Sequence, residues 1–246
     1  MSPDLLAEAV RKHGGLVHNC HPSSTLEGKD QWDYRPAHYS VINNTEMYGD
    51  VIHYEGKTYD AKMEQAVRGF LDLGGKTGFV RGTDTHEGQP AARTAVLARE
   101  FTREAIFEAL GHRRNYAVSE ARILLSFKIN GHEMGEEIEI AGKPQIDVDI
   151  HGTDMIEEAI IVRDGATLHS LSPGTENLKF TYVDESFRKS SYYYLRVTQV
   201  DKDRHGNLSR AWSSPIWVKS DAAENNPPAD IGDRRRNSAD RADQVD

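Results

Sequence analysis

Histidine and acidic side chains cluster at three points between residues 18 and 86. Imidazole nitrogen and carboxylate oxygen are the ligands that zinc, manganese and iron take in hydrolytic sites. Taken alone, each cluster has an ordinary alternative as a polar turn or a capping residue. The clusters are "HNCHPS" with His18, Cys20 and His21, "NNTEMYGD" with Glu46, and "RGTDTHEG" with Asp84 and His86.

The elements around these clusters predict that they meet in space. Each cluster follows a short apolar run typical of a buried strand: "GLV", "YSVI" and "GFV". Apolar residues at helical spacing between Met63 and Leu71 predict a helix before Gly74, and Thr102 is a suitable cap for a further helix. Because functional groups collect at the carboxyl ends of parallel strands, we expect the three clusters to lie together.

A divalent metal centre is the chemistry that this arrangement predicts. The expected ions are zinc or manganese, with iron as a third candidate. Arg81 and Arg93 are the candidate contacts for a phosphate group, and no catalytic residue is assigned. Cys20 is expected to be a small buried residue beside the site, with thiolate ligation as the alternative. The expected metal ligands are His21, Asp84, His86, His18 and Glu46.

The pattern of the chain changes at about residue 121. From there, short β-rich runs alternate with turn signals such as Asn130-Gly131 and Asp164-Gly165. We therefore expect an α/β part over residues 1–120 and a β-sandwich-like module over 121–220. The tyrosines 192–194 are expected to pack on alternate faces of a strand. Residues 221–246 are polar and charged, which predicts a disordered tail.

The composition and charge of the chain limit the classes of partner that are expected. The chain has 246 residues, a formal net charge of −9 and one cysteine. This acidic balance disfavours a nucleic-acid partner, and no apolar run is long enough to cross a membrane. The N-terminus has no signal-peptide pattern, so a cytoplasmic location is expected, although a missing upstream segment would leave room for a leader.

Several segments in order resemble the PHP (polymerase and histidinol phosphatase) superfamily, in a poorly characterised branch. They are "HNCHPS", "GFVRGTDTHEG", the stretch from "AVLAREF" to "KINGHEMG", and the stretch from "YYYLRVTQV" to "SSPIWV". The resemblance implies the C-terminal part of a distorted, TIM-like (β/α)7 barrel with two or three metal ions. By motif, Asp84 and His86 match an Asp-x-His ligand pair, and His21 matches a His-Pro ligand. His18 competes with His21, and Glu46 is a looser match.

The sequence lacks one motif of that family, and this absence changes the expected function. The chain has no His-x-His motif, so it is expected to be a truncated protein, half of a split pair or a decayed relative. The predicted function is PHP-type metal-dependent hydrolysis of a small phosphorylated substrate, by a phosphoesterase completed by a missing N-terminal half or a partner subunit. The alternative is a non-catalytic remnant or partner-requiring subunit whose β module binds a protein or a glycan.

Overall fold

A computed structural model describes residues 3–22, 41–54, 56–82 and 92–221. Within these ranges the chain forms three helices and seventeen strands. The helices α1 to α3 are Pro3–Lys12, Met63–Asp72 and Arg103–Gly111. In chain order the strands β1 to β17 are Val17–Asn19, Ile42–Glu46, Val51–Tyr54, Lys57–Asp60, Gly78–Val80, Arg93–Val96, Asn115–Val118, Leu124–Ile129, His132–Glu133, Glu137–Ile140, Gln145–His151, Ile156–Arg163, Ala166–Leu171, Asn177–Val183, Ser191–Lys202, Leu208–Ser213 and Ile216–Ser220.

A small parallel sheet carries the N-terminal part of the candidate site. Its strand order is β1-β2-β5, and both pairings are parallel. Helix α2 lies between β2 and β5 in the chain, so it belongs to the crossover that parallel pairing requires. Strands β3 and β4 form a separate antiparallel pair.

The largest sheet has eight strands and forms the centre of the molecule. Its main path runs β10-β17-β15-β16-β7-β6, and β12 joins it by pairing with β15 and with β13. Asp164 and Gly165 connect β12 to β13, and both have positive φ values of 48° and 73°. This is the conformation of a type I′ turn, which confirms the hairpin signal of the Asp-Gly pair.

A four-stranded sheet, ordered β14-β11-β8-β9, shares an apolar core with one face of the large sheet. Phe127, Ile129, Ile146 and Ile150 of the smaller sheet are fully buried in this core. Strand β11 has the alternating burial that follows from the two-residue period of a strand. Asn130 and Gly131, with φ values of 50° and 83°, form the predicted tight turn between β8 and β9.

A second apolar cluster covers the opposite face of the large sheet. It joins Val67 and Leu71 of α2 and Phe79 of β5 to side chains of the large sheet. Strand β15 contributes to both cores, because Tyr193 faces the first while Tyr192 and Tyr194 face the second. All three tyrosines are buried. The prediction that this run packs on alternate faces is therefore confirmed, and it offers no exposed aromatic platform.

The predicted barrel is wrong. In the part of the chain that the structure describes, the fold is mainly β, with three short helices and no (β/α)7 barrel. In the α/β part, β1, β2 and β5 pair in parallel around α2, whereas β6 and β7 pair antiparallel and join the large sheet. Strand and helix signals alternate along the sequence here, but the strand after β5 enters a different sheet. The expectation of a TIM-like barrel is therefore wrong.

The division of the chain into two parts at residue 120 stays a prediction. The large sheet contains strands from both sides of this boundary. Strands β6 and β7 precede that residue, and β7 pairs with β16, which follows it. Residues 222–246 of the predicted tail lie outside the described residues. None of the three described helices has the length and apolarity to cross a membrane.

Helix α2 is attached to the large sheet through a buried carboxylate, and this contact can be tested. Replacing Glu64 by Ala would leave Arg196, Tyr194 and Trp212 without their shared acceptor. Since removing one member of a buried ion pair leaves an uncompensated charge, we expect Glu64→Ala to lower the free energy of unfolding by about 3–5 kcal/mol. Urea denaturation followed by circular dichroism measures this loss.

The neighbouring Gln65→Ala is the matched control. Gln65 is exposed and bonds Asp50 through its backbone N–H, which alanine keeps. Its effect should stay within about 0.5 kcal/mol. Equal effects of the two substitutions would show that the buried carboxylate does not hold α2 in place.

Candidate metal centre

The carboxyl ends of β1, β2 and β5 bring together residues from the predicted clusters. Cys20 and His21 follow β1, Glu46 is the last residue of β2, and Arg81 follows β5 directly. Since the three strands run parallel, these residues lie at one edge of the sheet. Asp84 and His86, the other predicted ligands, lie outside the described residues.

Glu46 and His21 are in direct contact at this edge. The Glu46 side chain is buried, and its Oε2 accepts the backbone N–H of His21 at 3.0 Å. The His21 Nε2 lies 3.8 Å from the same oxygen. His21 has a left-handed φ of 51°, which is costly for a residue with a side chain. The hydrogen bond to Glu46 therefore stabilises the turn that presents the imidazole.

His18 and Cys20 lie beside this pair. The pKa of His18 is lowered, first because its ring is partly desolvated and second because His21 adds positive charge nearby. A lowered pKa favours the neutral imidazole, which is the form that binds metal ions. Cys20 Sγ lies 3.9 Å from His18 Nε2, and Cys20 is exposed. The prediction that Cys20 is buried is therefore wrong.

Arg81 supplies a desolvated cation next to the carboxylate. Its guanidinium carbon lies 4.2 Å from the centre of the Tyr48 ring and 5.8 Å from that of Trp212. Burial lowers its pKa, although Tyr48, Asp203 and Glu46 act in the opposite direction. Its buried Nε has no hydrogen-bond partner among the described residues. This guanidinium therefore keeps the capacity to donate to an anionic group.

Arg93 lies on β6 and makes a hydrogen bond to the backbone. Its guanidinium donates to the backbone carbonyl of Glu120. The next residue, Thr94, exchanges hydrogen bonds with the backbone of Arg81 at 3.0 and 3.1 Å. The contact with Glu120 does not link Arg93 to the carboxylate edge. Its role as a phosphate contact stays a prediction.

The types of side chain at this edge are suitable ligands for a metal ion. Imidazole and carboxylate groups of His18, His21 and Glu46 are the usual ligands of zinc and manganese. In residues 3–22, 41–54, 56–82 and 92–221, no group of three or more such side chains is close enough to hold an ion. The described residues thus offer one contacting pair and a neighbouring imidazole.

Two aromatic residues of the site were not predicted. Tyr48 stacks on Arg81 and donates its hydroxyl hydrogen to the Gly82 carbonyl. Its position two residues after Glu46 was the available signal, because alternate residues of an extended segment share a side. Trp212 comes from β16, far away in the chain, and no local pattern indicates its contact.

The role of the Glu46 carboxylate in holding His21 gives a second prediction. Glu46→Ala removes the acceptor of the His21 N–H, so we expect the free energy of unfolding to fall by about 1–3 kcal/mol. Glu46→Gln keeps an acceptor oxygen and should cost less. Chemical denaturation in metal-free buffer measures both, with Glu8→Ala on the exposed face of α1 as the control. Equal losses for the Ala and Gln variants would contradict the role of this hydrogen bond.

Comparison with known proteins corrects the family expectation. Residues 24–155 match a family described as "Protein of unknown function (DUF3604)". The expected membership of the PHP superfamily is wrong, because the matched family is this one and the similar curated proteins are all uncharacterised. The expectation of a PHP-type hydrolase that rested on this resemblance loses its support. No solved structure matches the chain.

The similar curated proteins are chlamydial. An uncharacterised protein of Chlamydia pneumoniae is 38% identical over 144 residues, which cover 51% of this chain and 22% of the relative. One from Chlamydia muridarum is 30% identical over 240 residues, covering 80% of this chain and 38% of the relative. The chain thus spans well under half the length of these relatives. Since the family match covers more than half of the chain, the protein belongs to the DUF3604 family of unknown function.

Proposed function

We propose that the carboxyl edge of the β1-β2-β5 sheet binds a divalent metal ion and uses it to hydrolyse a phosphate ester of a small substrate. The observation that carries this proposal is the buried Glu46 carboxylate in contact with the His21 imidazole, next to the desolvated guanidinium of Arg81. Zinc or manganese is the proposed ion, with iron as a third candidate, because the donors are imidazole and carboxylate.

Each residue has a proposed task at this edge. Glu46 and His21 hold the ion, with His18 as the neighbouring donor and Asp84 and His86 as the further ligands expected from the sequence. The bound ion would lower the pKa of a water molecule and polarise a phosphoryl oxygen. Arg81 would contact the phosphate, because a guanidinium presents several donors in a geometry that matches phosphate oxygens.

The packing of Arg81 supports the phosphate role. Its guanidinium lies over Tyr48, and its Nε has no hydrogen-bond partner among the described residues. A buried donor without a partner costs free energy, and a bound phosphate oxygen would remove that cost. The matched curated relatives are much longer than this chain. The activity and substrate of a protein of that length are therefore part of the proposal.

Metal affinity of the full chain tests the first half of the proposal. We expect zinc or manganese to bind, and Glu46→Gln, His21→Gln and Asp84→Asn each to weaken binding by about tenfold or more, or roughly 1.4 kcal/mol. Isothermal titration calorimetry measures the affinities. His132→Gln is the matched control, since this exposed histidine contacts Glu136 away from the strand ends. Absence of binding at saturating metal would refute the site.

Turnover of bis(4-nitrophenyl) phosphate tests the second half. We expect metal-dependent hydrolysis that a chelator abolishes and that Glu46→Gln reduces together with metal affinity. Arg81→Lys should mainly raise KM, since lysine keeps the charge and loses the paired donors of the guanidinium. Metal binding without any turnover would leave the ion site standing and overturn the hydrolytic role.

A further inference from the structure

A concave feature is lined by Glu64, which accepts the indole N–H of Trp212. It is an open groove of about 560 Å³ between the segment after β2, helix α2 and strands β12, β15 and β16. This volume falls in the range of small-molecule sites. Its charged lining residues are Asp50, Glu64, Glu157, Glu158, Arg196 and Arg210.

Two of these charges neutralise each other. Arg196 Nη1 lies 3.1 and 3.0 Å from the two carboxylate oxygens of Glu64. This pair is part of the attachment of α2 to the sheet and is not available to a ligand. The remaining charges of the groove are the carboxylates of Asp50, Glu157 and Glu158 and the guanidinium of Arg210.

Arg210 is the unusual member of this set. Among the described residues its guanidinium has no hydrogen bond or ion pair, and its buried Nε lacks a partner. Burial and the like charge of Arg196 lower its pKa, in that order, whereas the carboxylates of Glu64, Glu157 and Asp50 act in the opposite direction. Gly49 lies directly against the guanidinium, and a Cβ at that position would collide with Nη1. The backbone at Gly49 thus packs against this guanidinium, which makes no hydrogen bond to the described residues.

The three available carboxylates differ in how far they are already satisfied. Asp50 accepts the backbone N–H of Gln65 at 2.9 Å and lies 3.8 Å from Arg68. Glu158 accepts the hydroxyl of Ser170 at 3.1 Å. Glu157 is exposed at the rim. The groove therefore presents one positive centre and, close to it, unneutralised negative charge.

We propose that this groove binds a small zwitterion that carries a carboxylate and one or more ammonium groups, such as a basic amino acid. The carboxylate pairs with Arg210, and an ammonium group faces Glu157 and Glu158. A simple anion is disfavoured because four carboxylates and only two guanidinium groups line the groove. A simple cation leaves the desolvated guanidinium of Arg210 without a partner.

The groove is separate from the proposed metal centre. Trp212 lies between them: its Nε1 donates to Glu64 Oε2 at 3.3 Å, while its ring centre is 5.8 Å from the Arg81 guanidinium. The two proposals therefore use different residues and can fail independently.

Titration calorimetry on the full chain, in buffer with a metal chelator, tests the zwitterion proposal. The probes are L-lysine, cadaverine as the diamine without a carboxylate, and acetate as the carboxylate alone. We expect L-lysine to bind most tightly. Arg210→Gln should weaken L-lysine binding by about tenfold or more, but it should not weaken cadaverine binding, because cadaverine has no carboxylate to pair with Arg210. Glu157→Gln should weaken both, because it removes charge that faces the ammonium groups.

Arg103→Gln is the matched control, because it makes the same change at an exposed position on α3. It should leave every affinity unchanged. Thermal unfolding of each variant establishes that the fold is intact, and the Glu157 variant tests the groove even if Arg210→Gln unfolds. The proposal is overturned if L-lysine does not bind, if Arg210→Gln binds it as tightly as the unaltered chain, or if acetate binds equally well.

Discussion

The position of helix α2 depends on the buried carboxylate of Glu64. Its two oxygens accept from the Tyr194 hydroxyl at 2.9 Å, from Arg196 at 3.1 and 3.0 Å, and from the Trp212 indole at 3.3 Å. These partners lie at least 130 residues further along the chain. Removing a carboxylate from water is costly, and a charged partner with several hydrogen bonds is what offsets that cost. The network therefore fixes α2 on β15 and β16 in one orientation.

The candidate metal centre depends on that attachment. Helix α2 belongs to the connection between β2 and β5, and its Val67 and Leu71 pack in the same cluster as Phe79 of β5. The strands that end in Glu46 and lead to Arg81 are thus held against the large sheet from the same side. Trp212 connects the two regions, since its indole N–H bonds Glu64 and its ring lies near Arg81. A change at Glu64 should therefore affect both the candidate metal centre and the groove.

Local signals in the sequence were sufficient for elements whose partners are near in the chain. Thr102 caps α3 by accepting the Ala105 N–H, and the Asn130-Gly131 and Asp164-Gly165 pairs adopt the turns that their residue types favour. The convergence of the β1, β2 and β5 ends also followed from strand and helix alternation. The predicted barrel was wrong because the alternation of strands and helices along the chain does not specify which strands pair. Strands β6 and β7 follow β5 in the chain, yet their hydrogen bonds go to the large sheet.

The hydrogen-bond network of Glu64 likewise could not be predicted from the sequence. A glutamate in the first turn of a helix is ordinarily a solvated residue that interacts with the helix dipole. Here its three partners come from β15 and β16, and nothing near Glu64 in the chain indicates them. Asp84 and His86 lie outside the described residues, so their part in the centre stays a prediction. The PHP resemblance rested on two strand-end motifs and two longer segments, and a resemblance of this kind does not specify the fold around them.

Four partly buried arginines separate into two groups, and the contrast bears on function. Arg163 and Arg196 are held by carboxylates, and these partners raise their pKa values despite burial. Arg81 and Arg210 are also partly buried, but burial lowers their pKa values, and the Nε of each has no hydrogen-bond partner among the described residues. Unpaired buried donors are rare in folded proteins because each one costs stability. Since Arg81 lies beside the Glu46 carboxylate and Arg210 lies in the groove, an anionic group of a ligand is the natural partner for each.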